Sequence, residues 1–398
     1  TGRIGHAIHD TSAPTENPLP IAAALRAGSA GVEAAARTMS TIQIHEPELR
    51  RRRGFNGFYG HFLSALVEHA GARDTTEPRP LPRVIRPREH ESCWVRWGTH
   101  WVFFDMSDHV QLFDLEALKL CSVYFKANLH RGIAGRILDE AGLSEQWPKL
   151  APFLFFSEGL GDFIRDANRR RFWRMDRPRY DVCFVMGVYA NPVRDGGRSP
   201  FEHPDEPMTP AAYHFWIRWH IQQALREAGI PGYYRLTSRA NRALEDGQNV
   251  YGNLSRRAFS RRITDGRITA VCTFPHALFP WKASESFVLG RPLLIEQTPL
   301  TETPTPFMPV AGEHYLELLP DTGGFDPKAP LDDPASYRVL ARIASAHIRE
   351  RAEWLRDVLA DRERLSAMGE ACQVFAARAY HKKHVADYIC AEVEKRIR

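Results

Sequence analysis

No stretch of this sequence approaches the roughly 18 uninterrupted apolar residues of a membrane-spanning helix, so a chain that works in water is expected. There is no C-x-x-C pair either. The six cysteines (Cys93, Cys121, Cys183, Cys272, Cys372 and Cys390) stand far apart, most among apolar neighbours as in "DVCFVM" and "AVCTF". Such spacing does not suit a zinc site, and it fits buried thiols of a reducing compartment better than a disulfide framework. GxxxxGK[ST], GxGxxG after a strand, HExxH and GxSxG are all missing. P-loop hydrolysis, nicotinamide redox chemistry, zinc proteolysis and the α/β-hydrolase triad are thereby left without their usual signatures. The first residues lack a basic start followed by an apolar block, so no signal peptide is expected. The expected location is the cytoplasm, with room for contact at a membrane surface.

What is present is an ordinary globular composition: 398 residues, 43% hydrophobic, 25% charged and 11% aromatic, a length that suggests two domains. Net charge is +5, and the basic clusters Arg50–Arg53 and Arg169–Arg171 could meet phosphate or simply be solvated. No aromatic RNA-binding signature accompanies them, and nucleic acid is not an expected partner. "FNGFYGHFLSALVEHAG" (55–71) predicts a helix stopped by Gly71, and "TTEPRPLPRVIRPREHES" (75–92) a proline-rich connection. "HWVFFDMSD", "CSVYFKANL" and "PFLFFSEGL" are continuous apolar runs of the kind buried on both faces of a parallel sheet. The pattern restarts at "YDVCFVMGVYANP" (180–192). A long helix over 211–230, capped by Thr209 with Pro210 at its first position, and the strands "GYYRLTS" and "RITAVCTFP" follow. Alternating strand and helix on both sides of a hinge predicts two open parallel sheets with a cleft at the carboxyl ends of their strands.

The stretch "KASESFVLGRPLLIEQTPL" (282–300) reads as a helix, a turn and a strand with carboxylates at both ends. A carboxylate just inside a helix can accept both ribose hydroxyls of a nucleotide, and a nearby cation and the helix N-terminus favour its diphosphate. Lys282 and Glu285 are placed for those tasks, behind a loop carrying His276. The plain alternative is a helix–strand unit with a surface glutamate. In the first half, "FFDMSDH" (103–109) delivers Asp105, Asp108 and His109 to a strand's carboxyl end, where one could take a proton from a hydroxyl or where the aspartates could cap the next helix. "SVYFKANLHRG" (122–132) brings Lys126, Asn128 and His130 to the next strand end, as phosphate contacts or as solvated groups.

The second half resembles the donor-binding half of GT-B glycosyltransferases, particularly the exostosin-like and group-1-like members. It does so on Lys282, Glu285, the turn Gly290-Arg291-Pro292, the strand Leu293–Glu296 and "GEHYLEL" (312–318). The loop lacks the usual glycines, and Glu285 and Glu296 are further apart than in the common two-glutamate pattern. The resemblance implies two Rossmann-like domains facing a cleft, with C-terminal helices. An extension (1–40) would precede an acceptor-side domain (41–165), a hinge (166–179), a donor-binding domain (180–360) and helices bracing both (361–398). It implies transfer of a sugar from a nucleotide-sugar donor to a glycan or lipid-linked acceptor, with no bound metal or other cofactor. His276, Lys282, Ser284, Glu285, Arg256 and Tyr251 would hold the donor. Lys126, Asn128 and His130 would meet the acceptor or phosphate, and Asp105, Asp108 or His109 would be the base, Asp105 first. A non-catalytic carbohydrate- or nucleotide-binding protein on the same fold is the alternative, and a nucleic-acid-binding protein the third reading.

Overall fold

The computed structural model describes residues 41–45, 59–80, 92–107, 109–153, 178–188, 209–238, 250–252, 254–272, 279–297, 308–319 and 334–398, with Phe156, Leu160 and Ile164. The extension at 1–40, both arginine clusters, most of the hinge, Asp108 and His276 lie outside the described residues.

The first half builds a sheet from β1 (Ile42–Ile44), β2 (Arg73–Asp74), β3 (Ser92–Trp97), β4 (His100–Asp105), β5 (Val123–Ala127) and β6 (Leu150–Phe153), in the order β2-β1-β3-β4-β5-β6. Its apolar runs form the parallel part, β4 beside β5 beside β6. The expectation of an all-parallel sheet is corrected on the other side, where β3 pairs antiparallel with both β4 and β1. The tight reversal Gly98-Thr99, with Gly98 at φ 60, joins β3 and β4 as a hairpin. Helix α1 (Gly60–Ala70) ends at Gly71, whose φ of 69° is the left-handed stop expected there. Helix α2 (Leu115–Leu120) is capped by Asp114 and α3 (Arg131–Glu140) by His130.

The second half is fully parallel. Strands β7 (Tyr180–Gly187), β8 (Gly232–Ser238), β9 (Val250–Gly252), β10 (Gly266–Val271), β11 (Leu293–Gln297) and β12 (Tyr315–Leu319) lie in the order β9-β8-β7-β10-β11-β12. The chain winds outward from β7 in one direction, returns, and winds outward from β10 in the other. The doubly wound sheet therefore has its topological switch point between β7 and β10. Helices α4 (Pro210–Glu227), α5 (Arg256–Asp265) and α6 (Trp281–Val288) connect the strands. Thr209 caps α4 by accepting a hydrogen bond from Ala212 N at 3.2 Å, with Pro210 in the first turn.

Helices α7 (Pro334–Ala360), α8 (Arg362–Ala379) and α9 (Lys382–Ile397) end the chain. Among the described residues no helix is long and apolar enough to cross a membrane. Helix α9 returns to the first half and lies against α1. Tyr388 donates to Pro152 O at 2.6 Å and Arg396 to Leu150 O at 2.9 Å. One apolar core runs from Phe62, Phe104, Phe125 and Phe153 through Tyr380 and Phe375 to Phe287 and Leu293, and so spans both sheets. All the cysteines are free thiols, and all but Cys390 are buried.

Gly290, at φ 62, closes α6 as the Gly-x-Pro turn requires, and α8 crosses so near that a Cβ on Gly369 would stand 2.8 Å from Gly290 O. A Cβ on Gly135, within α3, would meet nothing within 4 Å. Both glycines are helical, so alanine gains about 0.8–1 kcal/mol of propensity at each. Gly135→Ala should gain most of it, whereas Gly369→Ala should lose about 1–2 kcal/mol net from overpacking against backbone. Urea unfolding of the two variants checks the opposite signs.

Candidate active site

At the switch point, the carbonyls of Val185 and Gly187 in β7 and of Cys272 just past β10 accept from side-chain cations. Two cations fill the place. Arg218, on the buried face of α4, donates through Nε and Nη2 to Cys272 O at 3.2 and 2.6 Å and through Nη1 to Gly187 O. Lys282, in the first turn of α6, donates to Val185 O at 2.6 Å. The rings of Phe259 and Trp281 lie 5.6 and 5.9 Å from its ammonium. The carbonyls take up only part of the donor capacity of the two side chains and cancel none of their formal charge. Burial, and then the charge of Arg218, push the Lys282 ammonium down to about 8, with Glu285 a smaller opposing influence.

The two glutamates of the 282–300 stretch are both inside the protein. Glu285 is 0% exposed and Glu296, near the end of β11, is 1% exposed. Glu285, expected to offer a carboxylate to a ribose, is buried one turn along α6 from Lys282. Burial and then the charge of Glu296 raise the Cys272 thiol well above its usual range. Ser284, expected among the donor contacts, is buried and donates back to Trp281 O at 2.8 Å within its own helix. Tyr251 stands on β9, the outermost strand on its side of the sheet, and Arg256 opens α5. Their side chains lie outside the description.

In the first half Asp105, the expected base, is engaged within the fold. Asp105 is 5% exposed and accepts from Tyr124 Oη at 2.6 Å and from Ser107 N at 2.8 Å. Its second oxygen also lies 3.6 Å from Lys126 Nζ. Lys126, expected at a phosphate, is 0% exposed, donates to Ser107 O at 3.1 Å and lies 5.6 Å from the Phe113 ring. The pair locks the ends of β4 and β5 together rather than facing a ligand. The Tyr124 hydroxyl is raised well above its usual range, by burial first and by the Asp105 charge second. His130 is buried, and its Nδ1 accepts from Ile133 N at 3.1 Å as the cap of α3.

Asn128 has a different task. It is the only non-glycine at positive φ among the described residues, at 54°, a left-handed conformation that asparagine tolerates better than most. Its Oδ1 accepts from Phe279 N at 3.2 Å, across the two halves of the chain. Phe279, like Ile137, also packs on Val110 and Ile133. The loops after β4 and β5 thus meet the segment that leads into α6 and Lys282. His109, half-buried, is next to Val110 at this junction and donates through its backbone N–H to Ser107 Oγ at 3.2 Å.

The sequence pointed to Lys282 and missed Arg218. Its signal was an arginine between Ile217 and Ile221 in the aromatic run "HFWIRWHI", where helical periodicity turns it inward. Among the described residues no group of three or more histidine, cysteine or acidic side chains could hold a metal ion.

No protein-family model matches this sequence, and no curated protein does. Among solved structures the chain is similar to Anabaena HepE in its complexes with UDP-glucose and with UDP. Each is 11% identical, with a TM-score of 0.39 over 74% of this chain and 72% of that one. The complex of HepE with UDP and glucose gives a TM-score of 0.40 at 11% identity, over 74% and 71%. A likeness at this level carries no functional argument, which falls to the site itself.

Removing one partner of a buried ion pair leaves the other charge stranded, at a cost of roughly 3–5 kcal/mol. Asp105→Ala should therefore destabilise the fold on that scale in urea unfolding. A change below about 1 kcal/mol would show that Asp105 is not the structural countercharge described here.

Proposed function

We propose that the chain is a glycosyltransferase that binds a nucleotide-sugar at the carboxyl ends of β7 and β10 and passes the sugar to a glycan or lipid-linked acceptor. The observation that carries this reading is the convergence of Arg218 and Lys282 at the switch point of a doubly wound parallel sheet. A diphosphate would supply negative charge well beyond the small opposing influence of Glu285 on Lys282. As the sugar leaves, negative charge grows on that diphosphate, and fixed cations stabilise the transition state more than the ground state. The loops of the first half would present the acceptor, with His109 in reach of the junction as the proton acceptor in place of Asp105.

Titration calorimetry with a panel of nucleotide-sugars tests the binding step, and the sign of its pH dependence follows from Lys282. In the free protein its ammonium is lost as pH rises through about 8, and a bound diphosphate would raise that value again. Affinity should be full below pH 8 and fall above it, approaching about tenfold per pH unit. Lys282→Met should bind more weakly and lose the slope. Full affinity in Lys282→Met, or a flat profile from pH 7 to 9.5, would remove the diphosphate from this place.

The engagement of Asp105 by Tyr124 and Lys126 favours a second reading, in which the chain binds the nucleotide-sugar without turning it over. Transfer to an acceptor decides between the two. His109→Asn should lower turnover by about 10²-fold or more with donor affinity kept, if His109 takes the proton.

A further inference from the structure

The connection from β5 to α3 is only three residues long, Asn128, Leu129 and His130, and it puts Asn128 at φ 54. Glycine takes such a conformation without cost, and asparagine tolerates it less freely. Asparagine at this position therefore needs a second reason, and its side chain gives one. Oδ1 accepts from Phe279 N at 3.2 Å, a hydrogen bond between residues 151 positions apart. Asn128 is 6% exposed, so the bond is shielded from water.

Phe279 stands directly before Pro280, from which α6 starts. Pro280 offers no side-chain cap, and the backbone bond from Ala283 N to Pro280 O at 2.9 Å closes the first turn. The entry of α6 is fixed from outside instead. The Phe279 ring packs on Val110 and Ile133 of the first half and meets the Tyr315 ring of the second edge-on, with centroids 5.6 Å apart. Its ring and its N–H are thus both held, and Lys282 follows three residues later.

We propose that Asn128 is a positioning residue for Lys282: through Phe279 it sets the start of α6, and with it the place of the ammonium against β7. What that ammonium does for a diphosphate rests on the glycosyltransferase reading above. A cation stabilises charge growing on a leaving diphosphate only where it is held in advance. The half of the chain that would present the acceptor would then also set the cation of the donor site.

If the turn were the only task of Asn128, glycine would serve it as well or better. Asn128→Gly is therefore the deciding variant, and because glycine relaxes the backbone there the chain should fold. Lys282 is half-buried, so acetic anhydride labelling of the ligand-free chain across pH, read by peptide mass spectrometry, gives the midpoint of its titration. The groups around the ammonium are Arg218, Cys183, Cys272 and Glu285, burial is the main influence, and the native midpoint should lie at about 8. A looser entry to α6 admits water, so Asn128→Gly should raise the midpoint by at least about half a pH unit. Calorimetry should show nucleotide-sugar binding weakened by at least about fivefold, the scale of one hydrogen bond. Gly142→Ala is the control: it strains a turn at φ 65 beyond the far end of α3, and should destabilise the chain without moving Lys282. An unmoved midpoint in Asn128→Gly, or an equal shift in Gly142→Ala, would overturn the positioning role. A midpoint that shifts in Asn128→Gly while the native chain binds no nucleotide-sugar would uphold the positioning and overturn the donor reading.

Discussion

The return of the last helix onto the first half is the contact on which the rest depends. Without α9 against α1, β6 and Phe125, the first sheet would expose part of its apolar face at the joint between the halves. The packing converts two α/β units into one continuous core. It also means that the strand ends of one sheet and the first turn of α6 are positioned by residues hundreds of positions apart in the chain. The hydrogen bonds from His61 to Tyr380 O, from Tyr388 to Pro152 O and from Arg396 to Leu150 O are among the polar fixings of that joint.

Buried charge is treated in two opposite ways in the two halves. Lys126 is enclosed with a carboxylate, a carbonyl and an aromatic face, so its charge is answered where it stands. Arg218 and Lys282 are enclosed with carbonyl groups and with each other, so the Arg218 charge adds to the desolvation of Lys282, with Glu285 only a smaller opposing influence. The first arrangement is what a fold does to hold two strands together. The second is retained at a cost to stability, and a cost carried at a switch point is a mark of a site.

Much of the fold was legible because its strands are continuous apolar runs and its helices carry plain stops and caps. Gly71, Thr209 and the Gly290-Arg291-Pro292 turn fell where their chemistry placed them. The hairpin of β3 and β4 was missed because residues 93–97, between the proline-rich stretch and the first apolar run, were assigned to no element. At the site, residue type outran geometry. An aspartate after a strand reads as a base until the neighbouring strand is seen to supply Tyr124 and Lys126 to it, and strand register is a long-range fact. Glu285 and Ser284 looked outward in the sequence because polar residues usually do. Arg218 looked like part of an amphipathic face, though the helix turns it inward.

The thiols carry one more consequence. Cys93, Cys121, Cys183, Cys272 and Cys372 are buried, and burial raises Cys121 and Cys183 to about 12, so neither is a thiolate at neutral pH. Cys390 alone is partly exposed, and it lies on α9. The native chain thus has one thiol within reach of an alkylating reagent, set in the helix that joins the two halves. A spectroscopic label placed there would report on that joint without any cysteine having to be removed, while slow labelling of the other five would time the opening of the cores around them.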